Sequence, residues 1–198
     1  MHTVDSDTRS RILEAATARF RQYGFGKTTM AEIADDCGMS AANLYRYFEN
    51  KQAIGTAIAC GCVDEMMDRL RRVARGQGSA ADRLERFLLT ALSVMYDNRS
   101  TQPRMAELIE NLVNGQGEML HEVKIRPMAS LLAEILADGA KTGEFAVDDV
   151  VQTAQTVLAA TVAFHAPFIV MAGVFTREQM EQMARDVARL LVKGLKTR

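Results

Sequence analysis

The sequence predicts an all-α fold, with a head of short N-terminal helices joined by one long helix to a larger helical body. Three observations lead there. Apolar residues recur at three- and four-residue spacing along most of the 198-residue chain, and helix-starting and helix-stopping residues stand where that spacing begins and ends. Composition agrees: tryptophan is absent and proline appears only three times, while helix formers such as Ala, Leu, Met and Glu abound.

The elements follow in order. Thr8 to Tyr23 sets Ile12, Ala15, Ala16 and Phe20 on one face; Gly24 then supplies a left-handed stop, with Phe25 folding back as its apolar contact. Thr29-Met30-Ala31-Glu32 is a capping box, and the helix it opens runs to Cys37 and ends at Gly38. Ser40 caps a third helix, Ser40 to Phe48, with Leu44 and Phe48 inward. Lys51 opens a long helix to about Arg75. Gly76-Gln77-Gly78-Ser79 is the clearest linker, and Ser79 with Asp82 marks the next start. Helices are then expected over 80–97, 102–113, 118–141, 148–172 and 177–196, with Pro127 and Pro167 kinking or breaking theirs and Asp148-Asp149 at a helix start. The domains predicted are a head over 1–51, a connecting helix over 52–75 and a body over 76–198.

Charge and cysteine usage limit the function. Net charge is -1, and residues 1–75 carry 11 Lys or Arg against 10 Asp or Glu, so any nucleic-acid binding must rest on placement of a few charges. The cysteines Cys37, Cys60 and Cys62 are odd in number and follow no secretory signal, which predicts reduced thiols and a cytoplasmic protein. Val157 to Val174, the longest apolar stretch, is interrupted by Thr161, His165, Pro167 and Gly173, so no membrane partner is expected.

Two short helices joined through Cys37-Gly38-Met39-Ser40 have the proportions of a helix-turn-helix, making a three-helix head. At about 100° per residue, Ala41, Leu44 and Phe48 cluster as the core side of the second helix. Ala42, Asn43, Tyr45 and Arg46 then face outward, flanked by Tyr47. That face is suited to a DNA groove: Asn43 can bond an adenine edge, Arg46 a guanine or a phosphate, and small Ala42 permits close approach. The face alone is equally consistent with an ordinary solvated helix.

The longer run settles the choice. Phe25-Gly26-Lys27-Thr28-Thr29-Met30-Ala31-Glu32-Ile33-Ala34, then Cys37-Gly38-Met39-Ser40, then Asn43-Leu44-Tyr45-Arg46-Tyr47-Phe48-Glu49-Asn50-Lys51 resembles the TetR family of transcriptional regulators in spacing and residue type. The resemblance implies a homodimeric repressor that reads a near-palindromic stretch of double-stranded DNA. It implies DNA contacts from Lys27, Thr28, Thr29, Ser40, Ala41, Ala42, Asn43, Tyr45, Arg46, Tyr47 and Lys51. Thr29 would stand against a phosphate, Tyr45, Tyr47 and Lys51 would hold the backbone or groove wall, and position 43 would read a base. The chain departs from the pattern with Ala41, Ala42 and Asn43, where many relatives have Lys, Gly and Thr. That loses one phosphate contact and changes the preferred base.

In the body, Val150, Ala154, Val157, Leu158, Thr161 and Val162 form one apolar stripe, and Met180, Met183, Val187, Leu190 and Leu191 another. Periodicity alone favours intramolecular core for both. The family resemblance instead implies that the last two long helices pack with a partner's as a four-helix bundle, which makes these residues a dimer interface. It also implies a cavity for a small, mostly apolar effector among the body helices. Candidate lining residues are Leu70, Phe87, Leu88, Met95, Met105, Leu108, Leu112, Met119, Leu120, Met128, Phe164, His165 and Phe168; thioethers suit such a cavity but also fill ordinary cores. Occupation would tilt the connecting helix and alter the separation of the two heads.

Other classes find less support. No glycine-rich phosphate loop or catalytic constellation appears, so no enzyme activity and no catalytic residue is expected. His121 and His165 lack partners at ligand spacing, so no metal and no cofactor is expected. A thiol-driven version of the same DNA-binding fold is the main alternative, although Cys60 and Cys62 point about 160° apart on a helix. A helical adaptor without DNA binding would need neither the capped motif nor the Asn43, Tyr45 and Arg46 face.

Overall fold

The computed structural model describes residues 2–101, 121–165 and 173–196. In chain order its helices are α1 (His2–Tyr23), α2 (Met30–Asp36), α3 (Ala41–Leu44), α4 (Lys51–Ala74), α5 (Ala80–Thr101), a π-helical turn (His121–Ile125), α6 (Arg126–Lys141), α7 (Val150–Ala160), a short 3₁₀ turn (Val162–Phe164) and α8 (Arg177–Leu195). Among the described residues there is no strand. The contacts divide into two compact units, one holding residues up to Cys62 and the other holding Val63–Asp97 and the described residues after 120.

In the first unit, α1 stops where Gly24 adopts φ 88°, and the Phe25 ring turns back to meet Phe20 edge-on at 5.0 Å. The capping box at α2 is complete: the Glu32 amide donates to Thr29 Oγ1 at 3.3 Å and the Thr29 amide donates to Glu32 Oε2 at 2.8 Å. Gly38 makes the turn at φ 65°, and Ser40 Oγ accepts from the Asn43 amide at 3.2 Å to start α3. Ile12, Ala16, Phe20, Ile33, Leu44, Phe48, Ile54 and Ile58 close the core. Each isoleucine, leucine and phenylalanine among them contributes about 1.5–3 kcal/mol by leaving water.

In the second unit, α4 contributes Met66, Met67, Leu70 and Ala74 to a core shared with Leu84, Phe87 and Leu88 of α5, Leu132 and Ile135 of α6, and Ala154 and Val157 of α7. The Glu144 carboxylate caps α5, accepting from the Ala80 and Ala81 amides at 2.7 and 2.9 Å. Asp149 caps α7 by accepting from the Gln152 amide at 2.9 Å.

Several expected boundaries move. The third helix is α-helical only over Ala41–Leu44; the next turn tightens, with Tyr47 N bonding Leu44 O at 3.0 Å and Phe48 N bonding the same carbonyl at 3.1 Å. The helix expected from 118 instead enters through the π turn and becomes regular at Arg126, with Pro127 in its first turn, where a missing N–H costs nothing. The helix expected over 148–172 ends at Ala160. There the Thr161 hydroxyl joins its own amide on Val157 O, at 2.7 Å, and the His165 ring bonds Leu158 O at 3.1 Å, the carbonyl that a continuing helix would offer to the Val162 amide. The helix expected over 102–113, and Pro167, lie outside the described residues.

Candidate nucleic-acid interface and body groove

The outward face of the head is built by what holds its inner side. Leu44 is fully buried and Phe48 nearly so, which anchors α3 and the turn after it from behind. Ala42, Tyr45 and Arg46 are consequently exposed, Tyr45 at 53%. Asn43, Tyr47 and Ala41 are half-buried at the edge of this face, and the Asn43 amide contacts Met39 Sδ at 4.0 Å. Ser40, Lys27 and Thr29 are exposed beside it. A small residue, an amide, a phenol and a guanidinium thus share one surface, and these are the kinds of group that meet base edges and phosphates.

Thr28 and Lys51, both among the expected contacts, are turned into the protein. Thr28 is only 2% exposed, and its hydroxyl donates to Gly24 O at 3.0 Å, so its side chain serves the end of α1 and not a ligand. Lys51 Nζ donates to Phe25 O and Thr28 O, each at 2.7 Å, and to Gly26 O at 3.4 Å, while lying 4.5 Å from the Phe25 ring centroid. Its three N–H groups are occupied by the loop between α1 and α2. Lys51 is a clamp on the segment that carries Lys27 and Thr29.

Arginines of α1 brace the motif, and sequence reasoning missed them because their partners are distant in the chain. The Arg9 guanidinium covers the Phe48 ring at 4.2 Å and donates to Tyr47 O at 3.3 Å. Arg11 donates to Cys37 O at 3.1 Å, which fixes the turn itself. Arg19 pairs with Asp36 and approaches Glu32 at 3.3 Å, and its hydrogen bonds hold the Asp36 carboxyl below the usual carboxylate range. Cys37 is buried in this core, and burial pushes its thiol up, away from the thiolate that redox chemistry needs.

In the body, the apolar ligand candidates pack on one another. Leu70, Phe87, Leu88 and Met128 lie in the closed core, Phe164 packs with Leu92 and Met180, Met95 is half-buried between the two groups, and His165 is 3% exposed. These side chains do turn inward, and those that are described pack against one another. Met105, Leu108, Leu112, Met119, Leu120 and Phe168 lie outside the described residues. An open groove of about 670 Å³ runs between the π turn with α6 and α7, past Ala129, Ala133, Val151, Ala159 and Val162, and of the described ligand candidates only His165 lines it.

The two apolar stripes also divide. Ala154, Val157, Leu158, Thr161 and Met180 are buried within the protomer, so their burial needs no second chain. Val150, Val187 and Leu191 are half-buried, whereas Val162, Met183 and Leu190 are exposed, Leu190 at 67%. Among the described residues no group of three or more His, Cys, Asp or Glu side chains is placed to hold a metal ion, and no helix is long and apolar enough to cross a membrane.

Comparison with known proteins agrees with this architecture. The family model of bacterial regulatory proteins of the TetR family matches residues 12–58, and that of the tetracycline-repressor-like C-terminal domain matches residues 80–188, more than half of the chain. The HTH-type transcriptional repressor KstR2 of Rhodococcus jostii is 28% identical over 145 residues, 72% of this chain and 70% of that protein. Among solved structures, a chain from Mesorhizobium loti assigned to the TetR family shares the fold with a TM-score of 0.74 at 16% identity, covering 98% of this chain and 100% of its own. SmeT, the repressor of the Stenotrophomonas maltophilia multidrug efflux pump SmeDEF, superposes with a TM-score of 0.64 at 19% identity over 91% of this chain and 87% of its own, and is also solved as a triclosan complex.

Proposed function

The chain belongs to the TetR family of bacterial regulatory proteins, and on that premise we propose that it is a dimeric repressor that leaves a near-palindromic operator when a small molecule binds its body. It is a DNA-binding transcriptional regulator and not an enzyme. Residues 1–51 act as the reading head, 52–75 as the connection and 76–198 as the body, in the cytoplasm where the DNA is.

One observation carries the reading: Ala42, Tyr45 and Arg46 project from a helical segment whose Leu44 and Phe48 are locked inside. The burial behind them fixes the direction in which these side chains project, and the match of residues 12–58 to the TetR family model supports DNA as what they meet. In the complex Asn43 reads a base edge and Arg46 reaches a guanine or a phosphate, while Lys27, Thr29, Ser40, Tyr45 and Tyr47 hold the backbone and Ala41 and Ala42 allow close approach. Two heads one helical turn apart, or a multiple of it, match a two-fold operator. The exposed Met183 and Leu190 of α8, with half-buried Val187 and Leu191 beside them, support a dimer formed through that helix. KstR2 is named a repressor and SmeT is solved with triclosan, which supports repression and a small-molecule input. The ligand acts by binding the free form more tightly than the DNA-bound form.

The test is fluorescence anisotropy of a labelled duplex taken from upstream of the protein's own coding sequence, at fixed salt. Binding at least about a thousandfold tighter than to a shuffled duplex is the expected result. Equal affinity for both duplexes would remove the proposal.

A further inference from the structure

Three helices of the body bring four guanidinium groups to one cavity. Arg69 of α4, Arg86 of α5, and Arg177 and Arg185 of α8 line a space of about 270 Å³, with the Thr90 and Ser93 hydroxyls beside them. Among the described residues Glu181 is its one lining carboxylate. Helical spacing gathers these groups: Arg86, Thr90 and Ser93 share a face of α5, and Arg177, Glu181 and Arg185 share a face of α8. The other carboxylates near these arginines act from outside the cavity. Arg69 pairs with Glu65 at 2.9 Å and Arg177 with Asp97 at 3.0 Å, while Arg185 comes no nearer than 3.9 Å to Glu85. Glu181 is shared, 2.9 Å from Arg177 and 3.8 Å from Arg185, so Arg185 makes ion-pair approaches but no hydrogen bond among the described residues. Arg86 donates to the Asp82 carbonyl at 3.3 Å and to the Gln77 carbonyl, and among the described residues no carboxylate lies within ion-pair distance of it.

We propose that this cavity binds a compact oxyanion of two or more charges, a phosphoryl or diphosphoryl group. Its lining sets four positive charges against one negative. The flanking carboxylates orient the arginines without using them up, because exposed ion pairs contribute little and each guanidinium holds five N–H groups in a planar fork. Arg69 gives one of these to Glu65 and Arg185 gives none, so donors remain on the α4 side and on the α8 side. Paired N–H groups of this kind fit the oxygens of a phosphate two at a time. The volume lies just below the roughly 300–1,000 Å³ of sites for drug-sized molecules, and Leu89 and Val94 are the only apolar side chains of the lining, so an extended apolar ligand finds little to hold it. Met183 and Leu190 stand about 160–180° round α8 from Glu181, so the helix face proposed for the dimer is not the face that lines the cavity. Because Arg69 belongs to α4, a bound anion joins the connecting helix to α5 and α8. The site stands whether or not an apolar effector binds elsewhere in the body.

Titration calorimetry of the full-length protein with sodium pyrophosphate and with orthophosphate, at neutral pH and constant ionic strength, tests the site. Pyrophosphate is expected to bind saturably with a Kd below about 1 mM, and at least about tenfold more tightly than orthophosphate. Arg185→Gln removes a lining charge without removing a hydrogen bond, so it should melt as the wild type does and bind pyrophosphate about tenfold more weakly, the value of one charge-assisted hydrogen bond. Arg69→Gln, on a different helix, should weaken binding to a similar degree. Arg46→Ala, in the head, should leave pyrophosphate affinity as it is. Absence of saturable binding by the wild type overturns the proposal, and so does affinity that survives both Arg185→Gln and Arg69→Gln. A loss confined to Arg46→Ala would put the anion on the head and overturn it equally.

Discussion

The Lys51 ammonium sits 2.7 Å from the Thr28 carbonyl, so the first residue of α4 is tied to the loop that enters α2. With the equal bond to Phe25 O and the ring beneath it, that one side chain orders the backbone on which Lys27 and Thr29 stand.

Lys51→Met therefore destabilises the head although it removes no core atom. Three backbone acceptors lose a charged donor, and loss of a hydrogen bond to a charged group costs about 1.5–3 kcal/mol. Thermal melting should show a lower midpoint, and operator affinity should fall alike for matched and mismatched duplexes, because the loop supplies position and not sequence.

Arg46 and Asn43 should separate affinity from specificity. Arg46→Ala should lower affinity and reduce the steepness of its salt dependence by about one released counterion if the guanidinium sits on a phosphate, or cost about 1–3 kcal/mol at one base pair if it sits on a guanine. Asn43→Ala should relax the preference at one position of the half-site while leaving the salt slope in place. Binding to a panel of singly substituted operators at two salt concentrations measures both.

Gly139 in α6 marks a close approach. A methyl group there would run into the Phe145 ring and the Ala80 side chain, where α6 passes the start of α5. Gly139→Ala should destabilise the body by about 1–3 kcal/mol by overpacking, without touching the head. Urea unfolding followed by circular dichroism measures it.

Lys124 sets the response of stability to alkaline pH. Its folded value, about 8, lies below the 10.5 of the free side chain. Between those limits the unfolded chain binds more protons than the folded one, so stability contributed by this group rises with pH, at no more than roughly 1.4 kcal/mol per unit. Below about pH 8 both states are protonated and the slope vanishes. The difference between wild type and Lys124→Met in chemical denaturation, followed from pH 7.5 to 10, isolates the effect.

Local chemistry was what the sequence carried best. The Thr29 and Glu32 box, the Gly24 stop with Phe25 folded back, and the caps Ser40, Ser79 and Asp149 each involve residues within a few positions of one another, and each forms. The Thr176 and Gln179 box that opens α8 has the same signature and was overlooked. Long-range partners were not legible: Arg9 meets Tyr47 from 38 residues away, and Lys51 meets Phe25 from 26. Nor was the end of α7, where the His165 ring takes the Leu158 carbonyl from seven residues further on. For the groove the difficulty was one of kind. Periodicity says which face turns inward, but only packing says whether Leu70, Phe87 and Met128 close on one another or surround a space.

Footprinting of the upstream region by the wild type and by an Asn43→Ala, Arg46→Ala double variant tests the central claim that the projecting face of residues 42–46 reads DNA. A protected segment with two-fold symmetry, lost in the double variant while its helical content and melting stay unchanged, is the predicted result. Protection that survives the double substitution, or none with the wild type, would contradict it.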